Sequence, residues 1–143
     1  MSAENNTVLV TDFNHLQSIS TDLLKEKRIS VDLEADSMFH FKEKVCLIQI
    51  GTKGKTFIVD PLEIDDLSPL GPVFADPAIK KVFHGADFDI RSLFRDYAFE
   101  VNNLFDTELA SRFLGLKETG LAAVIQSRFG VTLDKKYQKK DWS

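Results

Sequence analysis

Asp32 and Glu34 stand two positions apart in the run Ile29-Ser30-Val31-Asp32-Leu33-Glu34, where apolar and polar residues alternate with the period of a β-strand. At that spacing both carboxylates point to one face, with Cα atoms ~6.5–7 Å apart, so they can converge on one cation. Two anions on an otherwise apolar, central strand are costly unless metal ions or hydrogen-bond donors compensate them. Taken alone, the D-x-E spacing also fits a solvated strand face with charged residues. Companions come from His84-Gly85-Ala86-Asp87-Phe88-Asp89-Ile90, at a strand-to-helix transition where loops bring functional groups to the edge of a sheet. Asp87 and Asp89 both fall in the first helical turn, where a carboxylate complements the helix dipole; that reading suffices for Asp87. His84 fits a hydrogen-bonded residue holding the loop as well as it fits a functional one.

Two further groups could meet a polyanion. Lys135, Lys136, Lys139 and Lys140 form a basic cluster suited to phosphate contacts, or a solvated charged tail. Phe39 and Phe41, shortly after the D-x-E pair, could stack on terminal bases or pack inside. Cys46 lies in the apolar run Val45-Cys46-Leu47-Ile48 and reads as a small buried hydrophobe.

The elements that must position these groups follow from periodicity. Val8 and Val10 lead into Thr11-Asp12, a helix N-cap, and Phe13, Leu16, Ile19, Leu23 and Leu24 keep helical spacing. After the D-x-E strand come Val45 to Ile50 and Phe57 to Val59, joined through the turn residues Gly51 to Gly54; three strands in succession predict an antiparallel edge. Asp60-Pro61 and Asp76-Pro77 bracket a short helix or turn-rich connection with Leu67, Leu70, Val73 and Phe74. Lys80 to Phe83 predicts a strand, and Ile90, Leu93, Phe94 and Tyr97 a helical stripe. Leu104-Phe105 leads into Asp106-Thr107, an N-cap pair before Leu109, Ala110, Phe113 and Leu114; Thr119 is expected to cap a last helix that ends at Gly130. The order predicts an α/β domain with a mixed β-sheet, helices on both faces and ligands near strand ends.

The chain has 143 residues, of which 43% are hydrophobic and 28% charged, enough for one soluble domain spanning 1–143 with one substantial core. A net charge of −4 gives no global attraction to nucleic acid, so polyanion binding must use local basic groups and metal ions. No apolar run approaches the ~20 residues needed to cross a bilayer, and Met1 to Asn6 is polar, so a cytoplasmic protein without a membrane partner is expected.

Asp32-Leu33-Glu34 and His84 through Asp89 together resemble the first two motifs of the DEDD superfamily of 3'-5' exonucleases, and more closely ribonuclease D and its relatives. The resemblance extends through Val45 to Ile50, Val59-Asp60-Pro61-Leu62, Phe105-Asp106-Thr107, Gly130 to Lys135 and Asp141-Trp142, in order and over nearly the whole chain. It implies a ribonuclease H-like fold and hydrolysis of phosphodiester bonds at the 3' end of RNA, or of single-stranded DNA. It also implies two divalent ions, Mg²⁺ or Mn²⁺, with Asp32 bridging them, Glu34 on the nucleophile side and Asp89 on the other. Asp106 resembles a recurring family aspartate outside the catalytic acids and is kept as a helix cap.

The third motif of that family, a Tyr followed four residues later by an Asp, lies beyond the Asp-Trp pair, and the sequence ends at Ser143. Tyr137 and Asp141 have that spacing, but they precede Trp142 in what matches the family's linker. The expectation is therefore a C-terminally incomplete domain, weakly active or inactive as it stands. The alternative is a non-catalytic nucleic-acid-binding or scaffold domain that has lost its third motif.

Overall fold

The computed structural model describes residues 6–136 and 140–143. Six strands form one sheet: β1 (Thr7–Val10), β2 (Arg28–Ala35), β3 (Val45–Gly51), β4 (Thr56–Val59), β5 (Lys80–Phe83) and β6 (Leu104–Asp106). Five helices accompany them: α1 (Phe13–Leu23), α2 (Gly71–Ala75) behind a 3₁₀ turn at Ser68–Leu70, α3 (Asp87–Tyr97), α4 (Thr107–Phe113) and α5 (Leu121–Phe129). The strand order is β1-β4-β3-β2-β5-β6. β2, β3 and β4 pair antiparallel, whereas β1 runs parallel to β4, and β5 and β6 run parallel to β2 and to one another. The three successive strands are thus the middle of the sheet, not its edge. β1 covers β4, which local spacing could not reveal because that pairing spans about fifty residues.

β2 is fourth of six, and its alternation divides the molecule. Ile29, Val31 and Leu33 enter the core with Ile48, Ile50, Phe57, Val59 and Phe83, packed with Leu16, Leu23, Phe74 and Leu93 of the helices. Arg28, Ser30, Asp32 and Glu34 occupy the opposite face. There Thr107 of α4 and Leu121 of α5 close one side of a hollow of about 310 Å³ floored by Ser30, Asp32 and Gln49. Helices therefore flank both faces, as expected, but unequally. Cys46 is buried, as its apolar run suggested. Lys81 shares the core face with Phe83, and its Nζ escapes to the carbonyls of Asp76 and Ile79.

Local readings need two corrections. Phe94, counted in the α3 stripe, is exposed, and the buried positions of that helix are Asp89, Ser92 and Leu93. Thr119 does not cap α5; the cap position is Gly120, while the Thr119 hydroxyl donates to Glu108 Oε1 at 3.2 Å. α5 itself buries no residue fully.

Candidate metal centre

Register explains why residues 57 positions apart meet. β5 lies parallel to β2 with Ser30 opposite Val82, so continuing both strands by two residues sets Asp32 beside His84. Both line the same hollow. The chain leaves β5 through Gly85, whose φ of +74° is a conformation glycine adopts without strain. It then enters α3, placing Asp89 in the first turn, 7% exposed.

The three carboxyls share one electrostatic field. Burial first, then Asp32, Glu34 and Asp106 in turn, push the Asp89 carboxyl up to about 7. Glu34 is raised by burial and then by Asp32. Asp32 is open to water but walled by protein on enough sides to lose hydration. That loss raises its carboxyl, although the Leu33 backbone N–H and His84 draw it down. Among the described residues no ion pair reaches Asp32, Glu34 or Asp89, and no three His, Cys, Asp or Glu side chains already enclose a metal-sized space. The acids share a field rather than a closed cage. An all-oxygen, anionic set that no ion pair among the described residues neutralises fits a hard divalent ion such as Mg²⁺ or Mn²⁺.

The loop residues around the acids are tied down. His84 Nε2 faces the Thr119 carbonyl oxygen at 2.9 Å and therefore carries a proton, and Nδ1 lies 2.8 Å from Thr107 Oγ1. His84 is thus engaged at both nitrogens, which favours the loop-holding reading. Asp106 caps α4 through Glu108 and Leu109 N–H, as expected, and it also accepts from Gly85 and Ala86. Asp87 pairs with Arg91 and stands apart from the acids.

Asp36 was not singled out in the sequence, yet it is buried and closes the loop after β2. Its carboxylate accepts from Lys44 N–H at 2.7 Å, and its carbonyl from Phe39 and His40 N–H. This loop holds Phe41 in full solvent and leaves Phe39 about half exposed, which excludes buried packing for both. The segment 140–143 returns to the same loop, with His40 Nε2 3.1 Å from Ser143 Oγ, and brings Lys140 with it. Lys135 lines a separate hollow at the start of α5, Lys136 is exposed, and Lys139 and Tyr137 lie outside the described residues.

Comparison with known proteins identifies the family and the fold. The sequence model of the family described as 3'-5' exonuclease matches residues 7–143. The mouse exosome complex component 10 is 42% identical over 135 residues, covering 94% of this chain and 15% of the relative. The crystal structure of the catalytic core of RRP6 from Trypanosoma brucei superposes with a TM-score of 0.93 at 37% identity, covering 99% of this chain and 40% of that one. Escherichia coli RNase D, an exoribonuclease involved in structured RNA processing, gives a TM-score of 0.88 at 28% identity, over 96% of this chain and 37% of that one. The chain thus spans well under half the length of these proteins. Its mixed sheet is the ribonuclease H-like exonuclease fold, and the chain belongs to the 3'-5' exonuclease family as a ribonuclease D-like, DEDD-type domain.

Proposed function

We propose that this chain carries the first carboxylates of a metal-dependent 3'-5' exoribonuclease, with Asp32, Glu34 and Asp89 as ligands for two divalent ions, Mg²⁺ or Mn²⁺. The observation that carries the reading is that Asp32 and Glu34 share one face of β2 and that Asp89, at the start of α3, lies close enough for them to raise its carboxyl after burial has done so. When bound, such ions supply Lewis-acid stabilisation of the charge on the reacting phosphate and ease the ionisation of water. The chain does the rest by placement. By the family resemblance, Asp32 would help hold both ions, Glu34 the ion on the side of the attacking water and Asp89 the ion on the side of the departing 3'-oxygen. The hollow beside Asp32 leaves the terminal phosphate room to approach. Phe39 and Phe41 offer faces on which a terminal base can stack, and the basic residues near the end of the sequence offer charge to phosphates. RNA is favoured as substrate because the relatives include a named exoribonuclease and an exosome component.

The test is 3'-end trimming of a labelled oligoribonucleotide by this chain and by a version carried on to the length of its relatives, with Mn²⁺ and with chelator. Trimming by the longer protein is expected to stop with chelator and to fall at least 10²-fold in Asp32→Ala, in keeping with loss of a metal ligand. Equal trimming by Asp32→Ala sinks the assignment, whereas metal-independent oligonucleotide binding without trimming in both lengths favours a non-catalytic binding domain.

A further inference from the structure

The dipeptide Asp106-Thr107 holds every residue of the turn that delivers Asp89. Asp106 Oδ1 accepts from Gly85 N–H at 2.9 Å and Oδ2 from Ala86 N–H at 2.9 Å, while Oδ1 also accepts from Glu108 N–H at 2.8 Å and Leu109 N–H at 3.3 Å. Thr107 Oγ1 donates to the Phe83 carbonyl at 3.0 Å and meets His84 Nδ1 at 2.8 Å. Four consecutive residues, Phe83 to Ala86, are thereby pinned from one point. α3 has no side-chain cap of its own at Ala86, and the Ala86 carbonyl accepts the first helical bond, from Ile90. The first turn of α3, with Asp89 in it, therefore takes its position from a carboxylate borrowed from the next strand. Burial alone would raise the Asp106 carboxyl, but the four N–H groups prevail and hold it below the ordinary carboxylate value. Its charge also reaches Asp89.

Resting on the metal-centre reading above, we infer that Asp106 is a positioning residue for divalent-ion binding: it fixes the Asp89 carboxylate relative to Asp32 and Glu34, and its negative charge adds to the field that draws a cation there. A helix cap accounts for two of its four bonds. The other two, to Gly85 and Ala86, do nothing for α4 and act only on the turn before Asp89. Partners of this kind typically change metal affinity ~10–100-fold when removed.

The experiment measures Mn²⁺ affinity of the folded 143-residue chain by electron paramagnetic resonance of free Mn²⁺, with circular dichroism as the folding control. Asp106→Asn removes the charge and one acceptor. Asp106→Ser keeps a good cap for α4 and so keeps the fold, but is too short to reach Gly85 and Ala86. Asp12→Ala removes a cap of similar worth at α1, far from the acids. Both Asp106 variants are expected to bind Mn²⁺ about 10- to 100-fold more weakly than wild type, with Asp12→Ala unchanged and Asp32→Ala without specific binding. If Asp32→Ala loses binding while Asp106→Ser retains wild-type affinity, Asp106 is a cap alone and the inference is overturned. Should Asp32→Ala bind Mn²⁺ as wild type does, the metal centre itself is misassigned, and the role of Asp106 falls with it.

Discussion

At the level of single residues, the acids at the head of the sheet are held at a cost to the fold. Burial and the neighbouring Asp32, Glu34 and Asp106 carboxylates push the Asp89 carboxyl up to about 7, so between the ordinary carboxylate range and that value the folded state keeps a proton that the unfolded state has released. Stability therefore falls as pH rises from about 4 to about 7 and levels off above that. A rise of that size sets a ceiling of ~4 kcal/mol. In chelator, Asp89→Asn is expected to stabilise the chain by ~1–4 kcal/mol at pH 8 and to change little at pH 4. Urea unfolding at the two pH values checks this, and equal midpoints for both proteins at pH 8 rule the cost out. Mn²⁺ should raise the melting temperature of the wild type more than that of Asp89→Asn. Phe41 offers the opposite case, a large apolar side chain with no packing to lose. Phe41→Ala should leave the melting temperature unchanged and weaken oligoribonucleotide binding by ~1–3 kcal/mol if a base stacks there, as fluorescence anisotropy would read.

Among the elements, α3 is the one on which the site depends, and it is fixed at its start by a side chain from elsewhere and near its end by its own Asp96. Asp106 holds its start, and near its end Asp96 accepts from Val45 N–H of β3 at 2.8 Å. The helix closes on Ala98 in the left-handed region, φ +55°. Glycine enters that region without the steric penalty of a Cβ, so Ala98→Gly is expected to raise stability by ~1 kcal/mol in thermal unfolding. Gly85→Ala should do the reverse, because φ is +74° and the added Cβ would stand 2.8 Å from Glu108 Oε2. The parts of this arrangement legible in the sequence were those with local grammar. Alternation marked the faces of β2, and the Asp106-Thr107 pair before an apolar stretch marked a cap. Asp89 could be placed at a helix start. The second pair of bonds made by Asp106, the loop-closing role of Asp36 and the pairing of β1 with β4 join residues 20, 8 and about 50 positions apart, where periodicity carries no signal. The register shift between Glu34 and Ala35, which leaves Cys46 unpaired on β3 and buries Val45 and Cys46 in succession, likewise has no signal in local spacing.

Taken whole, the molecule is finished on one side and open on the other. Strands paired in parallel are usually covered on both faces, yet Ser30 and Asp32 look onto a hollow. α4 and α5 expose Leu109, Phe113, Leu114, Leu121 and Phe129, with Phe113 85% and Phe129 75% accessible. Apolar area of this kind promotes association. Sedimentation of the 143-residue chain is expected to show concentration-dependent self-association that Phe113→Lys with Phe129→Lys diminishes, and a monomer at every concentration would count against it.

Because one carboxylate starts two helices, neither start can open alone. The amide hydrogens of Gly85 and Ala86 belong to the same opening event as those of Glu108 and Leu109, although a strand, a helix and a long turn separate them along the chain. Native-state hydrogen exchange should therefore find these four amides with a common opening free energy. In that sense Asp89 acquires its place only when β6 has joined the sheet beside β5.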